Sequence, residues 1–231
     1  MPMNFPIKRN QDCKNCGSRS QNVFCDLPDE ALNLLDQFKV INHYKRGHFV
    51  FYSGNSPSGL YCVNSGVIRL ESAGPTGNNH ILRVVKAGGI LGYRSLFAEE
   101  AYEATAVVHE DADICMIPKH ALNELIQKFP DVGAKFLAHI AKELRTAESR
   151  LCGLTDKNAA ERIAEAMLFL KENFAAQTWT RKEIAEWAGT TPETVMRTLS
   201  DFESEGWIAL KGRKIEVLKR DELLRAANLA Y

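Results

Sequence analysis

Residues 180–218 read TRKEIAEWAGTTPETVMRTLSDFESEGWIALKGRKIEVL: two helical runs separated by a break, then an apparent hairpin with KGRK at its turn. Counted from Arg181, the residues Ala185, Gly189 and Val195 fall at the fifth, ninth and fifteenth places, where a helix-turn-helix makes steric demands. A small side chain at Ala185 lets the helices approach, Gly189 supplies a turn that other residues resist, and Val195 fills the space between the helices. Thr191 serves as N-cap of the second helix. Pro192 takes the first helical position, where a missing N–H costs nothing.

The first turns of that second helix then face outward, as a recognition helix does in the major groove. Glu193 accepts from the amino group of cytosine, and Arg197, one turn later, forks onto O6 and N7 of guanine, so the two read a short G·C-containing core. Thr180, Arg181, Lys182 and Thr194 are placed for phosphates, as are Lys211, Arg213 and Lys214 in the hairpin; such contacts position a domain without reading sequence. A plain solvated ion pair between Glu193 and Arg197, contributing about 0.2–0.5 kcal/mol, is the simpler alternative. Agreement of spacing, cap, hairpin and charge placement favours DNA. The acids Asp201, Glu203 and Glu205 lie further along, where they face away. Residues 155–231 therefore read as a winged helix-turn-helix.

Upstream, Pro130-Asp131 opens a long helix along which Leu137, Ile140, Leu144, Ala147, Leu151 and Leu154 follow a 3,4,3,4,3 spacing. That narrow stripe is the a/d seam of a coiled coil, and a homodimer follows; the alternative is a helix laid on the preceding domain. Thr155 or Asp156 is the expected cap of the next helix, KNAAERIAEAMLFLKENF. Before the long helix, nine of the fifteen glycines lie between Gly47 and Gly92, punctuating short runs such as HFVFY, GLYCVNSGVIRLE and HILRVV, with ATAVVHEDADICMIP beyond them. Short strands between such turns predict a compact antiparallel barrel or jelly roll. Helical spacing of Leu32, Leu35 and Phe38 leads into it, and KHALNELIQKF is a short helix after it. The fold class is α+β, divided into a cysteine-bearing segment (1–27), a β-roll (28–130), a dimerisation helix (131–154) and the winged domain.

The formal net charge is zero, and residues 155–231 hold 12 Lys+Arg against 13 Asp+Glu, so bulk charge does not point to nucleic acid; the DNA surface must be local. No run approaches the roughly 18 apolar residues of a membrane span, and MPMNFPIKRNQD lacks the apolar core of a signal peptide. A cytoplasmic protein without membrane contact is expected, its six cysteines reduced, buried or metal-bound. Cys13, Cys16 and Cys25 form C-x2-C-x8-C in a polar segment without periodicity, one expected to be disordered on its own. Cys62, within alternating LYCVNSGV, and Cys152, one step off the seam, read as packing residues. Two enzyme classes fit poorly. A cupin-like metalloenzyme needs an H-x-H ligand pair that His43, His48, His80, His109, His120 and His139 do not form, and a thiol oxidoreductase needs its C-x-x-C at a helix start after a strand.

The order β domain, long helix, helix-turn-helix resembles the Crp/Fnr family of bacterial transcription regulators over essentially the whole chain. GLYCVNSGVIRL, GGILG, Ile117-Pro118, KNAAERIA and PETVMR carry the resemblance. It implies a cyclic-nucleotide-binding-like double-stranded β-helix, a homodimer on a palindromic site whose TGA core is read by Glu193 and Arg197, and contact with RNA polymerase through exposed loops such as Gly74 to His80. Met196 and Pro192 stand where relatives separate one half-site from another. Relatives that bind cyclic AMP hold its phosphate with Arg and Ser where this chain has Tyr102 and Glu103; Glu103 would repel the phosphate, and Arg94 would have to reach from a different loop. Cys115 is similar in position to the distant fourth ligand of the oxygen-sensing Fnr branch. The resemblance thus implies a [4Fe–4S] cluster on Cys13, Cys16, Cys25 and Cys115, although that branch usually has a shorter second gap. Zinc, or thiol redox without a cofactor, stays open because ligand count alone does not choose the metal.

Overall fold

The computed structural model describes residues 12–75, 77–174, 178–212 and 214–229. The chain divides into two compact units, Met1–Ser72 with Leu82–Glu143 and Ala73–Ile81 with Leu144–Tyr231.

The β-roll is built on eight strands: β1 (Val40–Tyr44), β2 (Phe49–Phe51), β3 (Gly59–Val63), β4 (Val67–Ala73), β5 (Asn79–Lys86), β6 (Ile90–Leu91), β7 (Thr105–Glu110) and β8 (Ala112–Pro118). They form two four-stranded sheets, ordered β1-β8-β3-β6 and β2-β7-β4-β5. Strand β8 pairs antiparallel with β1 and with β3, and β7 pairs antiparallel with β2 and with β4. At the β3–β4 turn, Gly66 has φ +85°, and a Cβ there would meet the Asp111 carbonyl, so only glycine fits.

Period-two alternation splits the side chains of the first sheet between two cores. Tyr61, Val63, Leu91 and Ile114 point into the roll and meet Ile68, Val85, Ala106 and Val108 of the second sheet. Leu60, Ile90 and Ile117 point outward, where α1 (Asp29–Phe38), α2 (Tyr93–Ala98), α3 (Lys119–Lys128) and the first turns of α4 (Pro130–Asp156) cover them. Residues 12–27 add a 3-10 turn at Arg19–Gln21 and drive Val23 and Phe24 into that outer core. This described part of the segment expected to be disordered on its own therefore acquires order by burying two apolar side chains. The sequence did not anticipate β1, β6, α2, the 3-10 turn at Arg19–Gln21 or the last helix, Arg220–Ala226.

The second unit holds α5 (Ala159–Asn173), α6 (Arg181–Ala188), α7 (Pro192–Ser204), the hairpin β9 (Ile208–Lys211) and β10 (Lys214–Val217), and α8 (Arg220–Ala226). Its core includes Ile163, Met167, Ile184, Val195, Leu199, Ile208 and Leu223. Neither Thr155 nor Asp156 caps α5. The Thr155 hydroxyl donates back to the carbonyls of Leu151 and Cys152, which keeps it inside α4, and Asn158 is the cap, in a capping box with Glu161. Arg150 of α4 lies 4.0 Å over the Trp187 ring, which in turn stacks on Phe169.

Candidate functional site

The helix-turn-helix follows the local chemistry of its sequence. Helix α6 begins with a capping box, in which the Thr180 hydroxyl accepts from the Glu183 N–H and Glu183 reaches back to the Thr180 N–H. It ends at Gly189, whose φ of +62° is the left-handed cap conformation. Thr191 accepts from the Thr194 N–H and Pro192 opens α7. Ala185 and Val195 are both buried between the helices.

The outward stripe of α7 comprises Glu193, Met196, Arg197 and Ser200, all exposed, with Met196 at 53%. The Glu193 carboxyl is held below the usual carboxylate range by its own backbone N–H and by the Thr191 hydroxyl, so it is ionised at neutral pH. Among the described residues no ion pair joins Glu193 to Arg197, which leaves both charges available to a partner. Thr194 is partly buried beside the cap. Around this stripe, Lys182 lies 3.8 Å from Glu186, Lys211 is 2.7 Å from Glu216, and Lys214 is exposed. Arg181 donates to the Gly212 carbonyl and so ties α6 to the hairpin turn. Arg213 lies outside the described residues. The capping role of Thr180 was missed from the sequence, although the T-x-x-E signal stands there.

Along α4, Leu137, Leu144 and Leu151 are 70%, 57% and 63% exposed, and Ala147 is exposed with them. Ile140 packs partly against the outer core of the first unit, and a Cβ built at Gly189 would meet Leu154 at 3.0 Å. The seam residues thus form a leucine line at heptad spacing that no described residue covers, with Leu154 46% exposed beside Gly189 and Ile140 engaged within its own unit.

The cysteines are sorted differently. Cys13, Cys16, Cys62 and Cys115 line one pocket, together with Ser18, Arg19, Lys39 and Asn64. Its empty volume is about 480 Å³, solvent at the mouth included. Cys25 is not among the lining residues, and its carbonyl accepts from Lys135 at 2.5 Å. Cys152 is exposed rather than packed. The Cys16 thiol donates to Asn64 at 3.4 Å, and Lys39 donates to the Cys13 sulfur at 3.3 Å. Burial pushes the Cys13 thiol up to about 12 against the pull of Lys39, and Cys115 up to about 11 for the same first reason. Burial likewise holds Cys62 well above the ordinary thiol value. Metal-free, these groups are thiols. The Arg19 Nε is buried without a hydrogen-bond partner at this pocket, a donor suited to an anionic occupant such as a thiolate-ligated group. Among the described residues no three His, Cys, Asp or Glu side chains converge closely enough to hold one metal ion.

Residues 41–129 match the family model "Cyclic nucleotide-binding domain" and residues 161–226 match "Crp-like helix-turn-helix domain". The chain is 30% identical to the catabolite activator protein of Thermus thermophilus in its crystal structure, with 90% of this chain and 99% of that one covered and a TM-score of 0.53. This chain belongs to the Crp/Fnr family. Among other relatives of this Crp/Fnr-family chain are the fumarate and nitrate reduction regulatory protein of Escherichia coli, 26% identical over 94% of this chain and 90% of that protein. A second is the CRP-like cAMP-activated global transcriptional regulator of Mycobacterium tuberculosis, 27% identical over 87% and 93%. These relatives are transcriptional regulators, and the present Crp/Fnr protein is a transcription regulator, not an enzyme.

Inside the roll of this Crp/Fnr protein, Tyr102 is buried and stacks on Phe51 with ring centroids 3.9 Å apart. Arg94, which lies on α2 rather than on a loop, is paired with Glu103 at 2.6 Å, both exposed. Among the described residues no helix is long and apolar enough to cross a membrane.

Proposed function

We infer that this regulator is a cytoplasmic homodimer that binds a palindromic DNA site with a TGA-like core, works with RNA polymerase, and responds to oxygen or redox state through a [4Fe–4S] cluster. Glu193 and Arg197 read the core, Met196 and Thr191 border it, and Thr180, Arg181, Lys182, Thr194, Lys211, Arg213 and Lys214 serve the phosphates. The uncovered leucine line of α4 joins the two copies, which sets two recognition helices on successive major grooves.

The observation that carries the sensor reading is the pocket. Cys13 and Cys16 from the amino-terminal segment and Cys115 from β8 border one space beside a buried, unpartnered guanidinium nitrogen. The donor set fits a thiolate-ligated group, and the likeness to the fumarate and nitrate reduction regulatory proteins favours an iron–sulfur cluster over zinc. When bound, the cluster supplies an oxygen-labile centre. Ligands from the segment and from the sheet would then hold residues 12–27 against the roll. That segment reaches α4 directly: Phe24 meets Phe136 edge-on at 6.0 Å, and Lys135 holds the Cys25 carbonyl. Free energy gained at the pocket therefore biases the helix that carries the seam. The paired Arg94–Glu103 and the Tyr102 that occupies the roll argue against a cyclic-nucleotide effector.

Anaerobic purification with iron, zinc and sulfide analysis, plus an absorption spectrum before and after air, tests this. Iron and sulfide in equal amounts with an air-sensitive visible band support it. Zinc without sulfide would make the site structural, and a colourless, metal-free protein that binds DNA equally in both states would end the sensor reading.

A further inference from the structure

We propose that Cys62, and not Cys25, completes the thiolate set that holds the inorganic group in this chain. The inference rests on the reading above that the pocket takes an iron–sulfur cluster. Strands β3 and β8 are antiparallel neighbours, and their register sets Cys62 directly opposite Cys115, so both side chains leave the same face of the sheet. That face is the outer one: Leu60, two residues before Cys62, and Ile117, two residues after Cys115, belong to the outer core, against which Cys13 and Cys62 also pack. The segment that brings Cys13 and Cys16 lies over this face, and the four sulfur residues line one pocket.

Cys25 has other attachments. It follows Phe24, which is buried at the pocket and against Phe136, and it precedes Asp26, whose φ of +59° is a left-handed kink. Its N–H bonds the Asn22 carbonyl and its own carbonyl is held by Lys135. Bringing Cys25 into the pocket would undo these bonds and draw Val23 and Phe24 out of the core. The eight-residue gap between Cys16 and Cys25 is then no spacing constraint, because the third thiolate of the segment is replaced by one from the sheet. Each thiol that takes iron gives up its proton to solvent, and the nearby Lys39 and Arg19 oppose the accumulated negative charge.

The test uses the full-length protein, loaded anaerobically with iron and sulfide, as wild type and as Cys62→Ser, Cys62→Ala, Cys25→Ser and Cys25→Ala. Iron, acid-labile sulfide and the visible spectrum are measured, and circular dichroism of each metal-free form checks folding. The Cys25 variants should keep the wild-type content and spectrum, while both Cys62 variants lose most of the iron and sulfide. A second measurement needs no variant: alkylation of the loaded wild type should modify Cys25 with the cluster retained. Loss of the cluster in the Cys25 variants, on Cys25 alkylation, or retention in folded Cys62 variants would overturn the assignment while leaving the sensor reading intact. A wild type that takes up neither iron nor sulfide would remove the sensor reading and this assignment together.

Discussion

Cys62 and Cys115 stand opposite each other on the β3–β8 ladder, on the face of the roll that residues 12–27 cover. In the metal-free protein both are partly buried thiols whose ionisation burial disfavours, as is Cys13, whereas Cys152 is exposed on α4. Because only thiolates react, metal-free protein treated with iodoacetamide at neutral pH should be modified first at Cys152. Cys13, Cys62 and Cys115 should follow much more slowly, as peptide mass mapping would read.

The free charges of α7 lead to a prediction about base recognition. Replacing Glu193 or Arg197 by alanine should weaken binding to a TGA-cored palindrome by about 1–3 kcal/mol per half-site, roughly ten- to hundredfold, in fluorescence anisotropy. Binding to unrelated DNA should change little. Lys182→Ala, Lys211→Ala and Lys214→Ala should instead weaken all sequences alike, each reducing the slope of log K against log salt by about 1.

The exposed heptad leucines make the seam testable. A charged pair, Leu144→Glu with Leu151→Glu, removes apolar contact where the chain offers no alternative cover. Sedimentation should then report a monomer at concentrations where the wild type is a dimer, and operator affinity should fall with the lost second half-site. The monomer fold should persist, since neither leucine is buried in its own unit.

Gly189 has a conformational role. An alanine at φ +62° costs about 1–2 kcal/mol, and its Cβ would lie 3.0 Å from Leu154. Thr191→Ala should cost about 1 kcal/mol through the lost cap. Thermal melts should fall by a few degrees for each.

Stability should also depend on pH through His139. Burial lowers its pKa below the ordinary value; Glu143 opposes that shift, Arg83 and Lys142 reinforce it, and Tyr93 packs against the ring edge-on. The unfolded chain therefore takes up a proton near pH 6.5 before the folded one does. Stability is full above that pH, is lost as pH falls from there through the folded pKa, and levels off below it. Denaturant titrations should show that decline, and His139→Gln should flatten it.

How much of this was legible in the sequence depended on how local the signal was. Gly189, Thr191 and Pro192 each act on their own neighbours, so the turn and cap could be read from type and spacing. The strands of GLYCVNSGVIRL were visible because alternation is local too. Strand β1 was not: VINHY has three exposed positions, and its place is set by pairing with β8, about 70 residues away. Helix α2 follows a left-handed Gly92 inside a run read as a loop. The cap at Asn158 was misplaced because Thr155, also a good capping residue, satisfies its hydroxyl within α4. Cys62 was read as packing, and it does pack against the outer core; alternation reports which face a residue takes, while only the register with Cys115 and the path of residues 12–27 reveal what shares that face.

The coupling of pocket to operator is tested most directly by one titration. Anaerobically loaded protein is titrated against a fluorescent palindrome with TGA half-sites, then again after air has bleached the visible band of the same sample. Affinity for the palindrome should drop by at least about tenfold in step with the bleaching, while binding to unrelated DNA stays constant. Equal affinity in both states, with the band demonstrably lost, would contradict the account.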